Sequence, residues 1–214
     1  MNDTDDDEAV SDIFPYYLLV ETHGSNETHD QEKMESFLES LLSSGVVADG
    51  VLAQDESQRQ EFWNLRESLN PTFTKLGYGY KYDVSVPVSE WQDFCSELKQ
   101  HLLESLPSDV TWEQGNWGHI LDGNLHWNLA TLGRDSLDPR VLEQVQTPLF
   151  DQVLGRKGSI SAEHGLGQSK NCFLPRIHSE GTLEAMRELK KLYDPNGILN
   201  PGKVLPPPRT VDIS

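Results

Sequence analysis

The residues from 118 to 128 read Gly118-His119-Ile120-Leu121-Asp122-Gly123-Asn124-Leu125-His126-Trp127-Asn128. An Asp-Gly pair between two apolar runs is a strong signal for a β-hairpin. With Asp122 and Gly123 as a two-residue loop, His119 lies directly opposite His126. Side chains opposed in this way have Cβ atoms about 4.5–5.5 Å apart and project from the same face of the sheet. The stretch therefore predicts an antiparallel sheet that carries two neighbouring imidazoles, with Asn128 on the same face.

Apolar periodicity on either side of the hairpin predicts the other elements. A buried strand is predicted at 16–22, further strands at 46–54 and 81–88, and extended segments at 110–112, 118–121, 125–129 and 159–161. Helices are predicted at 29–42, at 57–69 with Pro71 as the stop, from 89 onwards, at 142–154 and at 182–193. Helices and strands alternate over short connections, so the pattern favours an α+β fold, a mainly antiparallel sheet covered by helices.

The charge balance excludes two classes of partner. Over 214 residues, 17 Lys and Arg stand against 35 Asp and Glu, which gives a formal net charge of −18. No basic surplus exists to neutralise nucleic-acid phosphates or to bind an anionic membrane surface. The longest apolar run, at 16–20, is also far shorter than the ~20 residues that a membrane span needs. We therefore expect neither a nucleic acid nor a membrane as partner.

The ends of the chain differ in composition from its middle. Five acidic residues lie among the first eight, and three prolines stand at 206–208. We predict an acidic flexible leader at 1–14, a folded domain at 15–206 and a tail at 207–214. The chain shows no basic or Arg-rich leader, so we expect no targeting segment in it. The two cysteines, Cys95 and Cys172, are too far apart in sequence for a disulfide scaffold and indicate a reducing compartment.

A second motif, Gly158 to Gly167, ends a short extended segment with the pair Glu163-His164 between small residues and glycines. One carboxylate added to the two hairpin imidazoles makes a His₂Glu set that suits Zn²⁺, with Mn²⁺ or Fe²⁺ as alternatives. His164 then lies beside the metal, where a general base is needed. Surface histidines beside a turn, and an acidic turn with an exposed histidine, explain the same two motifs without a metal, and the spacing leaves both explanations open.

Two cations stand among apolar and aromatic residues in this acidic chain, Arg66 and Lys81. An arginine can hold a carboxylate with two hydrogen bonds, so both residues are candidate receptors for an anionic ligand. Most cations in such places are ordinary surface or ion-pair residues, and spacing alone does not select these two.

Four strings occur in the order YKYDVSVPV, GHILDGNLHWN, GSISAEHGLG and DPNGILNPGKVLP. Together they resemble the C-terminal half of the D-2-hydroxyglutarate dehydrogenases, which are FAD-linked oxidases with the vanillyl-alcohol-oxidase type of flavin fold. The resemblance runs from about residue 17 to residue 206 and implies the C-terminal, or cap, domain of that family. The D-lactate dehydrogenases share the histidine hairpin and the Glu-His turn, and so remain the alternative.

The resemblance assigns roles to individual residues. It implies that His119, His126 and Glu163 bind the metal. The implied substrate contacts are Arg66, Asn70, Lys81, Asn128 and His164, with His164 as the base. Asn70 is carried over only weakly, because the family usually has a hydroxyl side chain there. Asn200 and Lys203 match the segment that approaches the flavin. Leu121 departs from the family, which normally has glycine at that position.

The implied activity is the FAD-dependent oxidation of a D-2-hydroxy acid, most closely D-2-hydroxyglutarate to 2-oxoglutarate. The half of the family that holds FAD is absent, so we expect an N-terminally truncated product. The resemblance also implies a mitochondrial matrix location, an electron acceptor such as an electron-transfer flavoprotein, and allows a homodimer. A non-catalytic fragment that binds metal and substrate is the rival hypothesis. An Fe(II) oxygenase is disfavoured, because its ligands usually follow the order His-x-Asp/Glu and then a distant His.

Overall fold

The computed structural model describes residues 14–206. The predicted leader, apart from its last residue, and the predicted tail at 207–214 lie outside the described residues. The chain divides into two compact units, with the division between Pro71 and Thr72. Each unit is described by itself below, and the domain limits predicted at 14 and 206 stay a prediction.

The first unit consists of two helices and their connections. Helix α1 spans Glu27–Ser43, and helix α2 spans Glu56–Thr74, so that its last turn belongs to the second unit. The side chain of Asn26 accepts a hydrogen bond from the backbone N–H of His29 and so caps α1. Both helices confirm the predicted ones, but α2 continues through Pro71 to Thr74 instead of ending before it. A proline inside a helix has no N–H to donate, so the helix lacks one backbone hydrogen bond. Helix α2 tolerates this loss because Pro71 lies one turn from its end.

Two strands predicted for the first unit are wrong. Residues 16–22 and 46–54 form no strand, and the side chains of Tyr16 and Tyr17 are largely exposed. A strand needs a neighbour that accepts and donates its backbone hydrogen bonds. No strand exists among the described residues 14–71 to supply one. An apolar run was therefore not sufficient to predict a buried strand.

The second unit contains an antiparallel sheet of three strands in the order β1-β3-β2. The strands are β1 at Gly77–Ser85, β2 at Trp112–His119 and β3 at Asn124–Leu132. The helices are α3 at Trp91–Ser105, α4 at Pro139–Gly155, α5 at Leu174–Ile177 and α6 at Glu180–Tyr193. This arrangement confirms the predicted α+β class. Across residues 14–206, no helix combines the length and the apolar character that crossing a membrane requires.

One face of the sheet forms the core of the second unit with helices α3 and α4. The sheet contributes Tyr82, Val84, Leu125, Trp127 and Leu129, and the two helices contribute Phe94, Leu98, Leu102, Val145, Leu149 and Phe150. Along β3 these apolar residues alternate with Asn124, His126 and Asn128, which therefore project from the opposite face. The sheet thus separates an apolar face from a polar one.

The hairpin between β2 and β3 has a longer loop than predicted. Residues 120–123 form the turn, and His119 pairs with Asn124 while Trp117 pairs with His126, so His119 does not lie directly opposite His126. Gly123 adopts φ +74°, and its carbonyl accepts a hydrogen bond from Val86 N–H, which fixes the longer turn against the end of β1. The register is shifted by two residues. Because side chains alternate with period two, both histidines still project from the same face.

Candidate metal and substrate site

The polar face of the sheet gathers candidate functional residues through strand pairing. From β1 to β3 the pairs are Lys81 with Asn128, Asp83 with His126, and Ser85 with Asn124. From β2, Trp117 pairs with His126 and His119 pairs with Asn124. His126 therefore lies at the centre of this face, with a carboxylate beside it on one strand and His119 diagonally across on the other.

The turn that carries Glu163 and His164 is attached to the edge of β1. Ser85 and Ser159 exchange two backbone hydrogen bonds of 2.9 Å each, which makes a short antiparallel bridge and agrees with the extended segment predicted at 159–161. Further along, Asp83 Oδ2 accepts hydrogen bonds from the backbone N–H groups of Glu163 at 2.7 Å and His164 at 2.9 Å. These contacts bring the turn to the polar face of the sheet.

His119, His126 and Glu163 converge on one point. Each offers a ligand atom, and the three atoms lie within 4.8 Å of one another. The rings of His119 and His126 meet edge to face with centroids 5.9 Å apart. Two imidazoles and one carboxylate form a set that Zn²⁺ accepts readily, with a further position left for water or substrate. The residues present therefore fit a divalent metal, and their role as its ligands stays a prediction.

Electrostatics favour a neutral imidazole at this point. Burial lowers the pKa of His126, although the nearby carboxylates of Asp83 and Glu163 oppose the shift. Burial also raises the pKa of Asp83, but hydrogen bonds from the Glu163 and His164 backbone outweigh that effect, so the net pKa is lowered. An ionised carboxylate next to a neutral imidazole is the state in which a histidine can bind a metal.

The side chain of His164 is accessible to solvent and 64% exposed. Its ring centroid lies 6.0 Å from that of His126, and its Nδ1 lies 3.9 Å from Asp83 Oδ2. The carboxylate favours a proton on Nδ1 and leaves Nε2 as the acceptor atom. The ring is thus placed beside the converging ligand atoms without being one of those three.

Asn128 and Lys81 are paired across β3 and β1, two residues along the strands from the pair of His126 and Asp83. Asn128 is buried, and its Nδ2 donates hydrogen bonds to the carbonyls of Gly115 and His126. Lys81 is exposed, and its Nζ donates a hydrogen bond to Thr74 Oγ1. Asn128 thus links two strands, whereas Lys81 offers a positive charge next to the site. Both remain predicted substrate contacts.

The segment from Asn200 to Val204 is attached to the same loop as the Glu-His turn. Val204 N–H donates to the carbonyl of Gly167, and Asn171 Nδ2 donates to the carbonyl of Gly202. Lys203 Nζ in turn donates to Asn200 Oδ1. Asn200 and Lys203, the two predicted flavin-side residues, are therefore exposed neighbours on a loop that is continuous with the site.

With this geometry established, comparison with known proteins identifies the family. The family model described as FAD linked oxidases, C-terminal domain, matches residues 1–204. The chain belongs to the FAD-linked oxidases. Within them, it is 41% identical over 197 residues to a mitochondrial D-2-hydroxyglutarate dehydrogenase of Arabidopsis thaliana, covering 92% of this chain and 34% of that protein.

Two further relatives of this FAD-linked oxidase domain are informative. The mitochondrial D-2-hydroxyglutarate dehydrogenase of Bos taurus is 40% identical over 192 residues, which cover 90% of this chain and 34% of that protein. A mitochondrial protein of Schizosaccharomyces pombe, provisionally named a D-lactate dehydrogenase, is 41% identical over 200 residues, 91% of this chain and 38% of that protein. The chain thus spans about a third of the length of these relatives, less than the half that the sequence led us to expect.

Two of the predicted substrate contacts lie in the first unit. Arg66 and Asn70 both stand on α2 and are four residues apart, so their side chains project from the same side of that helix. Arg66 is half-buried and Asn70 is exposed. Their role as substrate contacts stays a prediction.

Three polar residues beside the candidate site were not predicted from the sequence. Asp83 is 1% exposed, and its Oδ1 has no hydrogen-bond partner within residues 14–206. Asn124 is 2% exposed, and neither Oδ1 nor Nδ2 of its amide has a hydrogen-bond partner among those residues. Burial lowers the pKa of Lys170, and the charge of Asp83 opposes that shift, so this half-buried cation lies close to the site. Only the polar face of the predicted strand at 81–88 could have drawn attention to Asp83.

Proposed function

We propose that this chain is the substrate- and metal-binding part of an FAD-dependent enzyme that oxidises D-2-hydroxyglutarate to 2-oxoglutarate. The single observation that carries the proposal is the convergence of His119, His126 and Glu163, whose ligand atoms lie within 4.8 Å of one another next to His164. The D-2-hydroxyglutarate dehydrogenases among the relatives support the substrate. Because the chain spans about a third of those proteins, the activity belongs to a longer assembly that also holds FAD.

The three ligands would hold a divalent metal, with Zn²⁺ the best match to two imidazoles and a carboxylate, and Mn²⁺ or Fe²⁺ as alternatives. When bound, the metal supplies a Lewis acid that lowers the pKa of a coordinated hydroxyl group. FAD, held mainly outside this chain, supplies the acceptor for the hydride of the substrate α-carbon. Asn200 and Lys203, exposed on the loop attached to Gly167, are the candidates for contacts with the flavin.

His164 acts as the general base in this proposal. Asp83 favours the tautomer with a proton on Nδ1, so Nε2 is free to accept the proton of the substrate hydroxyl. The exposed ring can release that proton to solvent after the reaction. Glu163 and His164 are consecutive residues of one turn, so the proposed ligand and the proposed base are neighbours in the chain.

The second carboxylate of a 2-hydroxy dicarboxylate needs a cation. Lys81 is exposed beside Asn128 on the polar face and is the candidate within the second unit. Arg66 on α2 is the candidate cation within the first unit, and Asn70 on the same helix is a candidate neutral hydrogen-bonding contact. A D-lactate dehydrogenase is the second candidate function, supported by the Schizosaccharomyces pombe relative. Lactate has no second carboxylate, so the role of these cations separates the two functions.

The names of these relatives also support a mitochondrial location for the protein. Matrix placement, an electron-transfer flavoprotein as electron acceptor, and a homodimer rest on the resemblance alone. A fragment that binds metal and substrate without catalysis remains the rival. A purified chain that stays colourless after incubation with FAD is expected under both hypotheses, because FAD is held mainly outside this chain, so turnover by the flavin-loaded enzyme decides between them.

The base is tested in the flavin-loaded enzyme that contains this chain. His164→Ala should lower kcat by roughly 10²-fold or more, because a positioned base contributes that much to a proton transfer. His178→Ala, a change at an exposed histidine that ends α5, is the matched control and should leave kcat unchanged. A His164→Ala enzyme that turns over at the wild-type rate would remove the base from the mechanism.

The substrate class is tested with Lys81→Met, which keeps an unbranched side chain only one atom shorter and removes its charge. We expect kcat/KM for D-2-hydroxyglutarate to fall roughly 10- to 100-fold, the usual value of a hydrogen bond to a charged group. With D-lactate the same change should have little effect, because that substrate lacks the distal carboxylate. Equal losses with both substrates would contradict the role of Lys81, and a wild-type preference for D-lactate would favour the second candidate function.

A further inference from the structure

Asp83 stands where a charged side chain is costly. It lies in the interior of β1 opposite His126 and is 1% exposed. A buried carboxylate destabilises a fold unless hydrogen bonds or charges compensate for its lost hydration. Its two carboxylate oxygens have different surroundings, and each oxygen contacts a different part of the site.

The first oxygen, Oδ2, holds the turn that carries the ligand and the base. It accepts hydrogen bonds from the backbone N–H groups of Glu163 at 2.7 Å and His164 at 2.9 Å. Hydrogen bonds to an ionised carboxylate are stronger than those between neutral groups. One buried oxygen therefore fixes two consecutive residues whose side chains are exposed.

The turn depends on this anchor because its other attachments lie outside the Glu-His pair. The bridge between Ser85 and Ser159 lies four residues before Glu163, and a longer hydrogen bond of 3.4 Å joins Ala162 N–H to the carbonyl of Asp83. On the other side, Gly165 adopts φ +71°, so the chain reverses at once. Without the carboxylate, the backbone of Glu163 and His164 would lose its direct attachment to the sheet.

The second oxygen, Oδ1, faces the central histidine. It has no hydrogen-bond partner among residues 14–206, and His126 Nδ1 lies 3.9 Å away. A carboxylate in this place favours a proton on Nδ1 and so leaves the Nε2 lone pair for a metal. A carboxylate behind a metal-binding imidazole is a recurrent outer-shell arrangement that orients the ring and raises its basicity.

We propose that Asp83 is the positioning residue of this site. One oxygen holds Glu163 and His164 through their backbone, and the other orients the ring of His126. The inference rests on the metal centre of the proposed function and extends it to a residue that binds neither metal nor substrate. Asp83, His126 and His164 also form a group whose ligand atoms lie within 4.8 Å, so Asp83 as a metal ligand is the competing assignment. Its Oδ2 already accepts two hydrogen bonds, so Oδ1 is the oxygen that a metal would contact, and the zinc affinities of Asp83→Asn and Glu163→Gln separate the two assignments.

Three variants of the 214-residue chain separate these roles. Asp83→Asn keeps the shape of the side chain and one acceptor oxygen but loses the charge. Glu163→Gln removes a ligand. Glu113→Gln makes the same chemical change at an exposed carboxylate on the polar face of β2, opposite Ala130, and serves as the control. The dissociation constant of Zn²⁺ is measured for each by competition with a chromophoric chelator, and circular dichroism checks folding.

We expect Asp83→Asn to weaken Zn²⁺ binding by about 10- to 100-fold, as loss of an outer-shell partner does. Glu163→Gln should weaken it further, and Glu113→Gln should leave it unchanged. Wild-type affinity in Asp83→Asn would overturn the inference. A loss as large as that of Glu163→Gln would overturn it in favour of Asp83 as a ligand.

A second measurement tests the anchor without any metal. Hydrogen exchange of the Glu163 and His164 amides should accelerate roughly 10-fold or more in Asp83→Ala, because both lose a charged acceptor. The amide of Ser159, which bonds to Ser85, is the internal reference. Unchanged exchange at both amides would refute the inference about Asp83. Wild-type chain that binds no Zn²⁺ but shows the exchange effect would refute the metal centre of the proposed function and leave Asp83 as the anchor of the turn.

Discussion

Two buried aspartates of the second unit, Asp83 and Asp138, are paired in different ways. Asp138 is 8% exposed at the start of α4, where its carboxylate accepts hydrogen bonds from the backbone N–H of Arg140 and from the guanidinium groups of Arg134 and Arg140. Asp83 is more deeply buried, and within residues 14–206 no arginine or lysine forms an ion pair with it at 4.0 Å or less. Its nearest ionisable partners are the histidines 126 and 164, both at 3.9 Å.

The difference separates a carboxylate that the fold satisfies completely from one that it leaves incomplete. The hydrogen bond from Arg140 is the main reason that the pKa of Asp138 falls to about 2, and both of its oxygens are satisfied within the chain. Asp83 keeps one oxygen without a partner beside three converging ligand atoms. A buried polar group that the fold leaves incomplete is a better marker of a binding site than burial or charge alone.

The largest effect on stability that we expect concerns the hydrogen bonds between Tyr80 and Asp138, the fully paired aspartate. The hydroxyl of Tyr80 accepts a hydrogen bond of 2.7 Å from Asp138 N–H and donates one of 3.1 Å to the carbonyl of the same residue. Tyr80→Phe leaves the buried N–H of Asp138 without this acceptor, whereas the carbonyl keeps hydrogen bonds from the N–H groups of Val141 and Leu142. The change should lower the free energy of unfolding by about 1–3 kcal/mol. Urea denaturation measures that loss, and zinc affinity should stay at the wild-type value.

Tyr82→Phe is the matched control for this change. Tyr82 is buried on the same face of β1, and its hydroxyl makes no hydrogen bond in the part of the chain that the structure describes, so stability should change by less than about 0.5 kcal/mol. A Tyr80→Phe chain that binds Zn²⁺ as weakly as Asp83→Asn would abolish the distinction between the two aspartates.

The convergence of the candidate site residues was largely predictable from sequence, because most of them lie in local motifs. His119 and His126 flank one turn, and Glu163 and His164 are adjacent. The predicted loop length was wrong, yet the two histidines stayed on one face, since a register shift of two residues preserves the side on which every side chain lies. A shift of one residue would have separated them.

Asp83 could not be predicted in the same way. Its proximity to His126 depends on how β1 pairs with β3, and its contact with the Glu-His turn joins residues that are 80 positions apart in the chain. Strand register between distant segments follows from packing of the whole sheet, which the pattern of one strand does not specify. The apolar run at 16–22 failed for a related reason, because burial requires a partner that periodicity does not reveal.

The smallest effect that we expect is a pH dependence that belongs to Asp138. Its pKa is about 2 in the folded chain and about 3.9 in an unfolded one. Between these values the unfolded chain binds more protons, so the stabilisation present above pH 4 is lost as the pH falls toward 2. Asp138→Asn lacks this titration, and its stability, followed by urea midpoints from pH 5 to pH 2.5, should fall less steeply than that of the wild type. Parallel curves would show that other carboxylates, Asp83 with its lowered pKa among them, cause the acid sensitivity, and the contrast between the two aspartates would then hold for zinc affinity alone.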